Sequence, residues 1–170
     1  MVTTRPTPLT RVKRISYRLA SGMIQLDRRL RSSHGRGVKV IVCSPAGEIL
    51  LVSHTYGNRH WTLPGGGVHT DEKPAEAAAR EAHEELAVTN LKLVPLGTYP
   101  ARSHRRTDVI SVFVGACDQD ALVPRSVEIN AAVWVPENDI PAEADPNVAT
   151  AIGLWAGHRA EQVAANRHAT

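Results

Sequence analysis

The sequence predicts an α/β fold in which a mixed β-sheet lies between helices. Three observations support this class: short apolar runs bounded by turn residues, an alanine-rich helix that follows three glycines, and a second helix near the C-terminus. The 170 residues are enough for one domain with a substantial core. We expect this domain at residues 37–165, after a basic N-terminal arm at 1–36 and before a tail at 166–170.

The N-terminal arm differs in charge from the rest of the chain. Residues 1–39 carry ten Lys/Arg residues against Asp27 alone, a balance of +9, whereas the remainder has a balance of −6. Within residues 11–31, apolar side chains recur every three or four positions, which predicts a basic amphipathic helix. Three interpretations stay open: packing onto the main domain or onto the second subunit of a homodimer, attachment to an anionic membrane surface or to nucleic acid, and an organelle transit peptide.

Two features favour a cytoplasmic protein. No apolar run approaches the roughly 18 residues of a membrane helix, and no apolar signal-peptide core opens the chain. Cys43 and Cys117 each fall within an apolar run, which favours buried free thiols over a disulfide or a reactive thiol.

The strands of the sheet are predicted from apolar runs. After a Gly/Ser linker at 32–37, residues 38–43 and 49–54 read as two strands joined by the turn sequence Ser-Pro-Ala-Gly. Later strands are expected at residues 91–99, at residues 109–117, and near Trp134 within residues 125–135.

The alanine-rich helix, predicted from Pro74 to Leu86, carries a cluster of acidic residues. Pro74 suits the first turn of a helix, and the alanines that follow have high helix propensity. Glu81, Glu84 and Glu85 stand at i, i+3 and i+4, so they share one face. Three like charges on one turn repel each other, and a Mg²⁺ or Mn²⁺ ion would relieve that repulsion. A solvated acidic face is the alternative.

This stretch resembles the signature of the Nudix (MutT-like) hydrolases, G-x5-E-x7-R-E-U-x-E-E-x-G-U, where U is a bulky aliphatic residue. Gly66 and Val88 fall at the two ends of the pattern. The charged positions all match: Glu72, Arg80, Glu81, Glu84 and Glu85. Two positions depart, because Ala82 replaces a larger aliphatic residue and Ala87 replaces the usual glycine. With its flanking features, the resemblance covers roughly residues 37–165.

The resemblance implies an α/β/α sandwich that hydrolyses a phosphoanhydride bond in a nucleoside diphosphate linked to a second group. It also implies roles for particular side chains. Glu81, Glu84 and Glu85 would be catalytic and would bind Mg²⁺ or Mn²⁺. Arg80 would orient them through a salt bridge, with Glu72 as its partner. The glycines that shape the loop at the substrate are Gly65, Gly66 and Gly67.

Residues outside the signature add candidate contacts. The basic loop at 101–107 contains Arg102, His104 and Arg105, which would bind phosphate or form a solvated turn. Glu128, in the loop ahead of a strand, is similar to a further glutamate of many Nudix enzymes; it is either a fourth catalytic carboxylate or a surface residue. The resemblance implies Glu85 or Glu128 as the general base and leaves the choice open, because Nudix enzymes vary in which glutamate serves.

The C-terminal helix is predicted to cover the other face of the sheet. Asp145 suits the N-cap and Pro146 the first helical position. Val148, Ile152 and Trp155 form its apolar stripe, and residues 160–170 are expected to fray.

Two functional hypotheses stay open. The first is a nucleotide pyrophosphohydrolase, for which sugar nucleotides, nucleoside triphosphates, dinucleotides and capped RNA ends all offer the required diphosphate. The second is a Nudix-fold module that binds a nucleotide without turning it over.

Overall fold

A computed structural model of the chain describes residues 32–55, 60–88, 91–103, 106–117 and 128–168. The predicted N-terminal helix at 11–31 and the loop residues His104 and Arg105 lie outside these ranges, and the division into arm, domain and tail stays a prediction. The elements in chain order are β1 Ser32–Cys43, β2 Ile49–His54, β3 Trp61–Thr62, β4 Gly67–His69, α1 Pro74–Leu86, β5 Val94–Ser103, β6 Arg106–Ala116, β7 Ile129–Val135 and α2 Pro146–His168.

The described strands form one seven-stranded mixed sheet. Its main path runs β3-β2-β1-β6-β5, while β4 also pairs with β1 and β7 also pairs with β2. The β1–β6 pair is parallel and the other pairs are antiparallel. The prediction of a mixed sheet is therefore confirmed.

Helices α1 and α2 cover opposite faces of this sheet, because successive strand residues point to opposite sides. One core cluster joins alternate strand residues to α1: Val38, Val40, Val42, Leu50, Val52, Ala77, Ala78 and Leu86. The other joins the opposite strand face to α2: Ile41, Ile49, Leu51, Val112, Val148 and Ala151. The predicted α/β/α sandwich is confirmed.

The turn between β1 and β2 forms as predicted, and Cys43 pairs with Ile49 across it. Gly47 has a φ of 81° and its N–H donates to the carbonyl oxygen of Ser44 at 2.9 Å. The predicted Gly/Ser linker at 32–37 is wrong, because these residues are the first half of β1. There Gly37 pairs with Gly67 of β4 and with Ile110 of β6, so the backbone has partners on both sides.

Three later strand predictions need corrected bounds. β5 begins three residues later than expected and, with β6, extends through the basic segment as far as the Ser103–Arg106 pair. Part of the predicted loop at 101–107 is therefore strand, because antiparallel pairing continues across it. β7 begins at Ile129, so Trp134 lies near its end rather than its start.

The start of α2 is confirmed, whereas its predicted end is wrong. The Asp145 carboxylate accepts a hydrogen bond from the Asn147 N–H at 2.8 Å, as expected of an N-cap. The helix continues to His168 instead of fraying from residue 160. Just before this part, the Arg159 guanidinium lies 4.0 Å from the ring centre of Trp155 and 2.6 Å from a Glu137 carboxylate oxygen.

Both cysteines are free thiols, Cys117 buried and Cys43 partly buried, so the disulfide alternative is excluded. Burial raises the pKa of Cys43 to about 11, which keeps this thiol protonated and unreactive at neutral pH. Among the described helices, none is long and apolar enough to span a membrane.

Candidate active site

Helix α1 carries the acidic residues, and local sequence fixes both its ends. Pro74 begins the helix, and the Glu76 carboxylate accepts a hydrogen bond from the Lys73 N–H at 3.0 Å. At the other end Ala87 adopts the left-handed conformation, with a φ of 56°, and its N–H donates to the His83 carbonyl oxygen at 2.8 Å. Ala82, where a larger aliphatic residue is usual, is fully buried.

The glycine loop lies against both the sheet and the helix, and two of its glycines have no room for a side chain. Gly65 has a φ of 137°, and a Cβ there would lie 2.2 Å from the Val38 carbonyl oxygen. A Cβ on Gly66 would lie 2.5 Å from a Glu81 carboxylate oxygen. Only glycine therefore allows the loop to approach β1 and α1 this closely.

Two carboxylates of α1 are buried beneath this loop. Glu81 and Glu85 are each 2% exposed, whereas the Glu84 side chain is 41% exposed. One Glu85 oxygen accepts a hydrogen bond from the Gly65 N–H at 3.1 Å, which ties the loop to the helix. Burying two carboxylates on one helical turn is costly unless charge partners compensate them.

Arg80 connects four groups around the loop. Its guanidinium donates twice to Glu72, at 2.8 and 2.9 Å, so the partner expected from the sequence lies in bidentate contact. It also donates to Glu81 at 2.8 Å, to the Gly67 carbonyl oxygen at 3.0 Å, and to Glu84 at 3.4 Å. The hydrogen bonds from Arg80 hold the pKa of Glu72 below its usual range, and those to Glu72 raise the pKa of Arg80.

The donor set of α1 fits a hard divalent cation. Carboxylate oxygens are the preferred ligands of Mg²⁺ and Mn²⁺, and two of the three predicted ligands are buried next to backbone that only glycine permits. Within the described ranges, no three His, Cys, Asp or Glu side chains form a ready-made metal-binding group. Arg80 engages oxygens of both Glu81 and Glu84 in this arrangement.

The structure brings together most of the residues that the sequence predicted. The grouped residues are Gly65, Gly66, Gly67, Glu72, Arg80, Glu81, Glu84 and Glu85. Glu128 lies in the turn before β7, where it is partly buried and its carbonyl oxygen accepts from the Thr55 N–H at 2.8 Å. Arg102 is exposed on β5, opposite Thr107.

Sequence reasoning missed Lys39, in the middle of β1. Its ammonium donates to the Leu63 carbonyl oxygen at 2.7 Å and to the Thr62 hydroxyl at 3.1 Å. Burial lowers the pKa of Lys39, although Glu85, Asp145 and Glu81 act in the opposite direction. The sequence does contain a feature that could have identified Lys39, because it is the one lysine inside the otherwise apolar run Val-Lys-Val-Ile-Val.

Comparison with known protein families and curated proteins gives concordant results. A family model described as NUDIX domain matches residues 33–153. An RNA pyrophosphohydrolase of Hamiltonella defensa is 39% identical over 51 residues, which cover 30% of this chain and 31% of that protein. Diphosphoinositol polyphosphate phosphohydrolase 2 of Rattus norvegicus is 51% identical over 41 residues, covering 24% and 23%. The chain thus matches less than a third of the length of either relative.

Similar solved structures cover far more of the chain. An Ap4A hydrolase of C. elegans, in a binary complex, has a TM-score of 0.65 and 21% identity, covering 74% of this chain and 98% of that one. A MutT protein from Methanosarcina mazei Go1 has a TM-score of 0.62 and 24% identity, covering 75% and 94%. At these identities the similarity establishes a shared fold.

Proposed function

Because the chain belongs to the NUDIX domain family, we propose that it is a divalent-metal-dependent hydrolase of phosphoanhydride bonds in nucleoside diphosphates linked to another group. The observation that carries the proposal is the buried pair Glu81 and Glu85, held beneath the glycine loop and next to Arg80. A helix that needed only a solvated acidic face would not bury these carboxylates, because desolvating them costs several kcal/mol, roughly, for each ion.

Glu81, Glu84 and Glu85 are the proposed ligands of Mg²⁺ or Mn²⁺. When bound, such an ion neutralises diphosphate charge and lowers the pKa of a coordinated water. The remaining work falls to the protein. Arg80 orients Glu81 by a 2.8 Å hydrogen bond and is itself fixed by its bidentate contact with Glu72. Because the glycines of the loop carry no side chains, the substrate phosphates can approach the carboxylates there.

Basic residues of the β5–β6 hairpin are the proposed phosphate contacts. Arg102 is exposed on β5, and its guanidinium is suited to bidentate phosphate binding. His104 and Arg105 follow within the same basic segment. A carboxylate oxygen of Glu85 or of Glu128 would take the proton of the attacking water, and these two assignments stay as alternatives.

A nucleotide-type small molecule is the proposed substrate class. The names of the similar proteins define a test panel: RNA, a diphosphoinositol polyphosphate and Ap4A. ADP-ribose joins the panel because the NUDIX domain of Shewanella oneidensis NrtR was crystallised with it. Two free thiols, one of them buried, are compatible with a reducing cytoplasm, which we propose as the location.

The proposal is tested by product release from this panel, together with sugar nucleotides and nucleoside triphosphates, in Mg²⁺, in Mn²⁺ and in EDTA. Products would be identified by mass. We expect cleavage of one nucleotide-containing substrate class at a phosphoanhydride bond, with no cleavage in EDTA. Metal-dependent binding of a nucleotide without any turnover would instead indicate a binding module and contradict the hydrolase proposal.

A further inference from the structure

Lys39 occupies an unusual position for a lysine. It lies between the buried residues Val38 and Val40 of β1, and by strand alternation its side chain shares the sheet face of Ile41. Lys39 itself is partly buried, and an ammonium that loses part of its hydration needs polar or charged partners to compensate the loss. We therefore consider a role for the positive charge of Lys39 as well as a role in packing.

The ammonium of Lys39 holds the approach to the glycine loop. It donates to the Leu63 carbonyl oxygen at 2.7 Å and to the Thr62 hydroxyl at 3.1 Å. The same short segment is held from the helix side, because Glu85 accepts a hydrogen bond from the Gly65 N–H at 3.1 Å. A cation and a buried carboxylate therefore fix backbone groups two residues apart.

The backbones of β1 and the loop are in close contact at this point. A Cβ on Gly65 would lie 3.0 Å from the Lys39 Cα, and the Val40 N–H donates to the Pro64 carbonyl oxygen at 2.9 Å. No side chain separates Lys39 from the loop that covers Glu81 and Glu85. Glu85, Asp145 and Glu81 all oppose the lowering of the Lys39 pKa by burial, so the ammonium lies within the field of the helix α1 carboxylates as well as that of the α2 N-cap.

Arg80 and Lys39 are two basic residues that act at different places around the carboxylates. Arg80 contacts Glu81 and Glu84 directly, at 2.8 and 3.4 Å. Glu85 is equally buried, and Lys39 fixes the strand and loop backbone on which its hydrogen bond to Gly65 depends. Through this backbone, Lys39 acts on the carboxylate that is hydrogen-bonded to the loop.

We propose that Lys39 is a positioning residue whose ammonium, fixed on the glycine loop, offsets the charge of Glu85 and Glu81 while no divalent cation is bound. This inference deepens the proposed function and rests on it, because it takes these carboxylates as metal ligands. The same positive charge opposes a second cation. Lys39 therefore stabilises the metal-free site and lowers its affinity for the metal.

The test compares Lys39→Met and Lys39→Gln, which remove the charge, with Lys39→Arg, which keeps it. Thr62→Val is the matched control, since it removes one hydrogen bond of the ammonium and leaves its charge. Full-length proteins would be titrated with Mn²⁺ by calorimetry and melted in EDTA and in saturating Mn²⁺. Lys39→Gln keeps a donor for the Leu63 carbonyl oxygen, so it serves if Lys39→Met does not fold.

We expect both neutral variants to bind Mn²⁺ about tenfold more tightly than wild type, because one repulsive charge is gone. Their melting temperatures should fall in EDTA and recover in part with Mn²⁺, whereas Lys39→Arg and Thr62→Val should keep wild-type affinity. Unchanged or weaker Mn²⁺ binding by the neutral variants, with equal destabilisation in both buffers, would overturn the inference and leave the metal site standing. Absence of Mn²⁺ binding by wild type would overturn the metal site itself.

Discussion

Replacing Gly66 with alanine tests whether Glu81 is held against the glycine loop. The added Cβ would lie 2.5 Å from a Glu81 carboxylate oxygen and 2.8 Å from the carboxyl carbon. Glu81 cannot turn away freely, because it is 2% exposed and its oxygen accepts from Arg80 at 2.8 Å. Overpacking costs about 1–3 kcal/mol, and losing a hydrogen bond to a charged group costs about 1.5–3 kcal/mol.

These two costs overlap, so we expect Gly66→Ala to lower the free energy of unfolding by about 2–4 kcal/mol. Because Glu81 is a proposed catalytic carboxylate, displacing it by about an ångström should also lower kcat/KM at least about 100-fold. Urea unfolding and steady-state kinetics would measure the two effects. Gly153→Ala is the control: a Cβ there meets nothing within 4 Å, and alanine in helix α2 should stabilise by roughly 0.5–1 kcal/mol. Wild-type stability and activity in Gly66→Ala would refute the close packing of Glu81.

Three further predictions concern the surroundings of the buried carboxylates. Arg80→Lys should lose the bidentate contact with Glu72, since an ammonium cannot replace the planar guanidinium, and should reduce kcat/KM at least about tenfold. An unchanged kcat/KM would argue against the orienting role of Arg80. The folded-state pKa of Glu72 lies below its ordinary value of 4.5, so its contribution to stability is present above that pH and is lost as the pH falls through the folded pKa. The difference in unfolding free energy between wild type and Glu72→Gln should therefore shrink in acid, and a constant difference from pH 7 to pH 2 would contradict this. Ala87→Gly should raise the free energy of unfolding by about 1 kcal/mol in thermal melts, because glycine adopts the observed φ of 56° without the strain that alanine has there. An unchanged free energy of unfolding would mean that Ala87 is not strained.

Elements with local determinants were predictable from the sequence. Helix α1 begins at Pro74 and ends at Leu86 as expected, because proline and the alanine run act within a few positions. The Asp145 cap of α2 is equally local. The acidic residues of the site were found for the same reason, since spacing along one helix determines which carboxylates share a face.

Features that depend on distant partners were not predictable in this way. Residues 32–37 have the composition of a linker, but β4 and β6 supply strand partners for them from far along the chain. Lys39 was overlooked because its hydrogen-bond acceptors lie at Thr62 and Leu63, more than twenty positions away. The burial of Glu81 and Glu85 likewise depends on how the loop folds over α1.

The most direct test of the central claim compares Glu84→Gln with Glu76→Gln on the substrate that the panel identifies. Both residues lie on α1, but Glu76 belongs to the first turn, where glutamine can still accept from the Lys73 N–H. In Mg²⁺ we expect Glu84→Gln to lower kcat/KM at least about 100-fold and Glu76→Gln to leave it unchanged. Equal activity in the two variants would contradict the account, because the acidic face of α1 would then not be the catalytic centre.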